Sequence, residues 1–315
     1  MAVLVSEYVQ AVVMNIYKTC CLVMQTVLIV CMLPYKIITS ILFPTTPKTF
    51  RSVFITGASS GIGAELARQY ASKGVRLTLT ARHVNKLCEV KCYCEALGAI
   101  VHTVALDVTD KDAMHTALHK ADDEYPLDLV IANAGLGGPS AVPNNGDILS
   151  NVSSKVTEAN VIGVCNTLSP ALERMRLRKS GQLVINASAM GLLGMTCDSF
   201  GFAYSSSKIW ACTYGMGLRS LLQRENIGVT VICAGGVKTS RFQADVDASG
   251  LNVDIDKLAI DCKSAVKQMI KGIANDVGML YINVSFWWLI IGAFGFNLIP
   301  PFLWNEIAPF FELQQ

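Results

Sequence analysis

The chain has 315 residues, of which 52% are hydrophobic and only 16% charged; its net charge is +2 and its mean hydropathy +0.42. The scattered basic residues exclude a nucleic-acid footprint, while the apolar excess asks for a membrane, a partner or an apolar substrate cleft. Eleven cysteines, odd in number and spread through helix and strand patterns, exclude a secreted disulfide scaffold and predict reduced thiols.

Residues 9–43 are almost wholly apolar, broken by Lys18 and by Pro34-Tyr35-Lys36. Extended to either side, the purest part, Cys20–Leu33, reaches the ~20 residues that a bilayer crossing needs. A cleaved signal peptide and a buried helix are the alternatives. The first wants an early basic region and a small-residue cleavage site, and the second would precede a domain that reads as complete without it. A membrane anchor is the favoured reading. Lys36, Lys48 and Arg51 follow it, whereas Glu7 is the only charged side chain before Lys18, so the positive-inside rule predicts a main domain on the cytosolic side. Pro44 and Pro47 make a stiff linker.

At Arg51 the pattern changes. Ser52–Thr56 reads as a short buried strand, followed at once by Gly57-Ala58-Ser59-Ser60-Gly61-Ile62-Gly63 and an amphipathic helix to about Ser72. Strand, glycine-rich turn and helix start are what a dinucleotide-binding βαβ unit needs: glycines admit the pyrophosphate close to the backbone, and the helix N-terminus supplies N–H donors. The spacing is Gly-x-x-x-Gly-x-Gly, which differs from the general Gly-x-Gly-x-x-Gly fingerprint. The second strand, from Arg76, ends in Thr80-Ala81-Arg82, with a cation where an NAD-selecting fold usually has an acid. Arg82 would pair with a 2′-phosphate, so NADP(H) is favoured over NAD(H); the alternative is a solvent-exposed arginine at a strand end.

The alternation continues through strands Ile100–Ala105, Leu127–Ala132, Gln182–Asn186 and Gly228–Cys233, separated by helices of about a dozen residues. The predicted fold is therefore α/β: a doubly wound, Rossmann-type parallel sheet of about seven strands. Residues 240–262 are polar and weakly patterned and read as a flap over the cleft. Met279 to Trp304 is apolar again and aromatic-rich, with Pro300-Pro301; a membrane-interface or substrate-entrance segment competes here with a core helix. The expected division is 1–47 anchor and linker, 48–277 dehydrogenase-type domain, and 278–315 apolar segment.

Chemistry concentrates at Tyr204 and Lys208, four residues apart and so on one face of a helix. An ammonium beside a phenol favours the phenolate and suits the pair to proton transfer. Ser188 upstream could hold a carbonyl or alcohol oxygen at the same point. Cys88, Cys92 and Cys94, and likewise His115 and His119, lack further ligands in the sequence, so no metal is expected.

Taken together, these residues resemble the short-chain dehydrogenase/reductase family in its compact single-domain branch, from about Val53 to Thr239. Thr56 with Gly57, Gly61 and Gly63 is similar to the family's cofactor turn, Asp107-Val108 to its adenine-contacting pair, and Asn133-Ala134-Gly135 to its strand-4 motif. Asn160, Ser188, Tyr204 and Lys208 fall in order at the positions of its catalytic tetrad. The resemblance implies an oxidoreductase in which Tyr204 is the general acid or base and Lys208 lowers its pKa and holds the nicotinamide ribose. It further implies that Ser188 polarises the substrate oxygen and that Asn160 holds a water leading to Lys208. It implies cofactor contacts at Gly57, Ser59, Ser60, Gly61, Ile62, Gly63, Arg82, Asp107, Val108, Asn133, Ala134, Gly135, Tyr204, Lys208, Val237 and Thr239. Ala234 departs from the usual proline before Gly235. A membrane-associated member acting on a lipid-like ketone or secondary alcohol is expected, at the endoplasmic reticulum and facing the cytosol, with pairing of subunits a family tendency. The alternatives are a catalytically idle binding or scaffold protein on the same fold, and a sugar-nucleotide epimerase, for which the chain leaves no second domain.

Overall fold

The computed structural model describes residues 46–137, 151–193, 201–249 and 254–284. Seven strands form one parallel sheet in the order β3-β2-β1-β4-β5-β6-β9. These are β1 (Ser52–Thr56), β2 (Arg76–Ala81), β3 (Ile100–Ala105), β4 (Leu129–Ala132), β5 (Gly181–Asn186), β6 (Ile227–Ala234) and β9 (Met279–Ile282). Two short strands, β7 (Val237–Lys238) and β8 (Ile260–Asp261), pair separately. Every residue of β1, β4 and β6 is buried, as a parallel sheet covered on both faces demands.

Period-2 alternation along β1 sorts the core into two layers. Val53 and Ile55 join Leu66, Leu77, Leu79, Leu87, Val266 and Met269 on one face. That face is covered by helices α1 (Gly61–Tyr70), α2 (Val84–Ala96) and, near the C-terminus, Cys262–Ala274. Phe54 points the other way, into a layer with Met114, Leu118, Val130, Leu168, Leu183 and Val231. There the cover is α3 (Lys111–Glu124), α5 (Gly163–Arg178), the short α6 (Met190–Leu193) and the 22-residue α7 (Gly201–Leu222), while α4 (Ser153–Thr157) packs Val156 in a separate small cluster with Val152 and Ala203. The Asp110 carboxylate caps α3 by accepting from Ala113 N. Between α4 and α5, Glu158–Ile162 forms a π-helical turn, the kind of insertion that re-aims side chains at functional sites.

The apolar stretch from Met279 begins as a strand of this sheet. β9 pairs with β6 over Val231↔Met279 to Ala234↔Ile282, so the sheet runs past residue 277. What seats it is a polar clamp: Arg219 donates to Val229 O (2.7 Å) and Asp276 Oδ1 (2.6 Å), and Gln182 Nε2 to Asp276 Oδ1 (3.2 Å). Lys48 also reaches Asp276, at 3.2 Å. The stretch read as an unpatterned flap is largely helical, in α8 (Ser240–Ser249), α9 (Ile255–Leu258) and the start of α10 (Cys262–Ala274). Residues 47–284 belong to one compact unit. Among the described residues no helix is long and apolar enough to cross a membrane. The apolar segment 9–43 and the aromatic segment from Phe286 to Trp304 lie outside the described residues.

Candidate active site

All seven main strands run in the same direction, so the segments leaving their C-terminal ends converge on one edge. The strand order reverses between β1 and β4, which opens a crevice there. Into it run Gly57–Gly63 after β1, Arg82 after β2, Asp107 and Val108 after β3, and Asn133–Gly135 after β4. Ser188 follows β5, and Ala234–Thr239 closes β6.

The glycine turn is built for close approach. A Cβ at Gly63 would sit 2.3 Å from the Gly57 carbonyl oxygen and 2.5 Å from Asn133 Nδ2, so only glycine lets α1 start this close to β1 and β4. Gly57 has φ +65°, a left-handed conformation that glycine adopts without penalty. Ser60 is the N-cap of α1 but makes no side-chain cap bond, and the first turn holds no acid. The turn therefore presents backbone N–H groups and an unopposed positive helix end, the combination that binds a pyrophosphate. Ala58 N donates to Thr80 O (3.0 Å), tying the turn to the end of β2. Among the described residues, Thr80 Oγ1 and Asn186 Oδ1 are buried without a hydrogen-bond partner, at the ends of β2 and β5. A cradle that a side chain would fill and two orphaned polar atoms along the crevice fit an extended dinucleotide.

The remaining motifs lock this edge. Thr56 Oγ1 accepts from the backbone N–H of both Asn133 and Ala134, at 3.0 Å each. Asn133 Nδ2 donates to Thr56 O (2.9 Å), and its Oδ1 accepts from Asn186 Nδ2 (2.8 Å). Asp107 Oδ1 holds Thr109 N (3.0 Å), while its other oxygen is 3.6 Å from Arg82, whose side chain is 57% exposed. Val108 packs under Gly163, and Asn166 Nδ2 donates to Val108 O at 2.9 Å. Gly61 stands against Thr239, whose hydroxyl accepts from Phe242 N (3.1 Å) and so caps α8, while Val237 is buried in the core. Ser59 and Ile62 lie in the same turn, partly exposed.

Helix α7 brings Tyr204 and Lys208 together. Lys208 Nζ lies 5.6 Å from the centroid of the Tyr204 ring and donates to Asn186 O at 2.8 Å. Ser188 acts on the Tyr204 phenol from the end of β5; its hydroxyl donates to Ala234 O (3.4 Å) and accepts from Met190 N (3.2 Å). Burial pushes the Tyr204 phenol above its ordinary pKa, against the Ser188 hydrogen bond and the Arg241 charge, which pull it down. This corrects the expectation that Lys208 sets a lowered value, because the ammonium faces the ring and the Asn186 carbonyl. Lys208 itself is driven down to about 8, chiefly by burial and then by Arg241.

Asn160 sits in the π-helical turn, 1% exposed. Its Oδ1 accepts from Leu136 N (2.7 Å), and its Nδ2 donates to Leu136 O and Ser207 Oγ, at 3.0 Å each. The amide thus holds the segment after Gly135 in place, and Ser207 ties it to the helix of Tyr204. The fold gathers all four tetrad positions, and adds three residues that sequence reasoning passed over. Asn186 and Ser207 gave no signal beyond lying near motifs. Arg241, whose guanidinium donates to Gly135 O, lay in the stretch read as a flap.

Glu173 of α5 joins His115 and His119, with ligand atoms within 4.8 Å of one another, so the pair gains a third donor that the sequence did not show. Arg174, a donor only, contacts His119 Nδ1 at 3.2 Å and thereby puts the ring proton on Nε2, the nitrogen facing Glu173. Of the three clustered cysteines, Cys94 is buried in the core while Cys88 and Cys92 are exposed on α2.

Residues 51–250 match the family described as short chain dehydrogenase. The chain is 36% identical over 192 residues to an uncharacterized oxidoreductase of Myxococcus xanthus, covering 61% of this chain and 74% of that protein. It is 33% identical over 219 residues to a 3-dehydrosphinganine reductase of Arabidopsis thaliana, covering 68% of this chain and 60% of the plant protein. Among solved structures, levodione reductase superposes with a TM-score of 0.64 at 21% identity, covering 74% of this chain and 95% of that one. The structure of ElxO with NADP bound gives 0.61 at 21% identity, covering 74% and 97%. At that identity the two structures speak for the fold.

Proposed function

Because the chain belongs to the short-chain dehydrogenase family and is an NAD(P)-dependent oxidoreductase, we propose that it interconverts a carbonyl and a secondary alcohol on a lipid-like substrate. Tyr204 acts as the general acid in reduction and the general base in oxidation. The observation that carries this is the convergence of Ser188, Tyr204 and Lys208 on one point at the mouth of the glycine-turn crevice.

The nicotinamide supplies the hydride when bound. The chain's own groups do the rest. Ser188 donates to the substrate oxygen and orients it toward Tyr204, whose hydroxyl proton moves to that oxygen as charge builds. Lys208, buried and held by Asn186, keeps a cation beside the phenol and would take the ribose hydroxyls. Asn160, through Leu136 and Ser207, keeps the Asn133–Gly135 segment and α7 in register and is assigned the water that leads to Lys208. The Gly57–Gly63 turn would hold the pyrophosphate and Asp107 and Val108 the adenine, and Val237 and Thr239 are assigned to the cofactor as well.

Arg82 is assigned to the 2′-phosphate, so NADP(H) is the preferred cofactor. Its guanidinium is more than half exposed and opposed only by Asp107 at 3.6 Å among the described residues, leaving donors for a phosphate. The lipid-like substrate is supported by the apolar excess of the chain and by its likeness to 3-dehydrosphinganine reductases of Arabidopsis thaliana. Steroid, retinoid, 3-ketosphinganine and 3-ketoacyl types are the classes to test. Residues 1–47 are assigned as membrane anchor and linker at the endoplasmic reticulum and the unit that runs on through β9 as the cytosol-facing catalytic domain, with the apolar segment beyond it assigned to the membrane interface or substrate entrance. Pairing of two copies is part of this reading.

The test is NADPH oxidation by full-length, detergent-solubilised protein on a panel of 3-ketosteroid, retinal, 3-ketosphinganine, long-chain 3-ketoacyl thioester and small water-soluble ketones, with NADH as the cofactor control. Turnover on one lipid ketone with NADPH is expected. Turnover only on small soluble ketones would overturn the substrate class, and preference for NADH would overturn the role of Arg82. Membrane fractionation with protease protection checks the topology.

A further inference from the structure

The first two turns of α8 lie against the site. Arg241 donates from its guanidinium to the Gly135 carbonyl. A Cβ built at Gly137 would meet the Asp245 carboxylate at 2.5 Å and Arg241 Cδ at 3.3 Å, so both side chains press on the segment after β4. A Cβ at Gly135 would in turn lie 3.8 Å from Lys208 Nζ and 2.9 Å from Asn160 Oδ1. One helix thus sends a cation and, one turn on, an anion to the rim of the Tyr204–Lys208 pair.

We propose that Arg241 is a positioning residue of this site: its bond to the Gly135 carbonyl latches α8 over the crevice and fixes a second cation beside Tyr204, with Asp245 as its opposing charge. The proposal rests on the role of Tyr204 given above. Among the described residues, the groups facing Tyr204 are Ser188 from the end of β5, Lys208 on its own helix, and Arg241 and Asp245 from α8. Those facing Lys208 are the Tyr204 ring, Arg241, Cys212 one turn along α7 and Cys233 on β6. Within this set Arg241 favours the phenolate and Asp245 opposes it, so the two act on Tyr204 with opposite sign.

Two measurements on the full-length protein in detergent test the proposal. Removing a hydrogen bond to a charged donor frees an element by about tenfold or more. In Arg241→Met the amides of Ser240–Ser249 should therefore exchange with solvent faster by that factor, and Arg241→Lys should restore part of the protection. The second measurement is the pH profile of kcat. Arg241→Met should move the midpoint of the limb that reports Tyr204 upward by about half a unit or more, and Asp245→Asn should move it downward. Unchanged exchange in Arg241→Met, or midpoints that stay put or move the same way in both variants, overturns the proposal. If Arg241→Met fails to fold, Arg241→Lys and Asp245→Asn still carry both readings. A wild type that shows the latch in exchange but turns over no ketone would sink the proposed function alone; normal turnover with no latch would sink this inference alone.

Discussion

Lys208 Nζ lies 5.6 Å from the centroid of the Tyr204 ring and is bonded to the Asn186 carbonyl at 2.8 Å. The cation therefore meets the face of the phenol ring while it is anchored from below by the end of β5. Its position is fixed by burial and by one backbone acceptor, which makes the pair sensitive to small changes on either side.

Tyr204→Phe removes the transferable proton and keeps the ring that covers Lys208. Loss of a general acid–base group costs about 10²–10⁴-fold in rate. Turnover should fall by at least the lower figure, while NADPH affinity, measured by protein fluorescence quenching, changes less than threefold, a bound we set by ~0.6 kcal/mol. An equal loss of both would show that the hydroxyl serves cofactor binding rather than proton transfer.

Lys208 is buried and its pKa is driven from 10.5 down to about 8. Between these values the unfolded chain binds the proton more tightly than the folded one, so stability rises as pH climbs from about 8 toward 10.5. Below about pH 8 the buried charge carries its full cost, on the order of a few kcal/mol. Lys208→Met should be inactive yet melt higher than the wild type at pH 7, with the difference shrinking by pH 10. Thermal unfolding at the two pH values checks this; a lower melting temperature at pH 7 would mean that the bond to Asn186 outweighs desolvation.

Arg82→Ala deletes the exposed guanidinium at the end of β2. Charge-assisted hydrogen bonds are worth about 1.5–3 kcal/mol. KM for NADPH should thus rise roughly 10- to 100-fold while KM for NADH barely moves. Equal effects on the two cofactors would remove Arg82 from the 2′-phosphate.

Gly63→Ala puts a methyl 2.3 Å from the Gly57 carbonyl and 2.5 Å from Asn133 Nδ2, both part of the rigid edge. Overpacking of this kind costs about 1–3 kcal/mol. A lower melting temperature together with lost NADPH binding is expected by calorimetry. Wild-type binding in this variant would show that α1 can withdraw from the crevice without consequence.

Much of this was written in local sequence. Continuous apolar runs such as Val53–Ile55 and Val231–Cys233, broken by helical periods, specify a parallel sheet because strands covered on both faces need no polar side. The glycine turn and the four-residue step from Tyr204 to Lys208 are likewise short-range facts, legible from spacing alone. Other features depend on neighbours distant in the chain. Met279–Ile282 becomes a strand because β6 offers an open edge and Arg219 and Asp276 clamp the approach. Glu173 meets His115 and His119 only because α3 and α5 pack side by side. The direction of the Tyr204 shift is also tertiary, since desolvation depends on what surrounds the ring, and Arg241 and Asp245 reach it from a helix more than thirty residues downstream. Sequence spacing determines which groups share an element; burial and the charges brought in from other elements determine how those groups titrate and what they can hold.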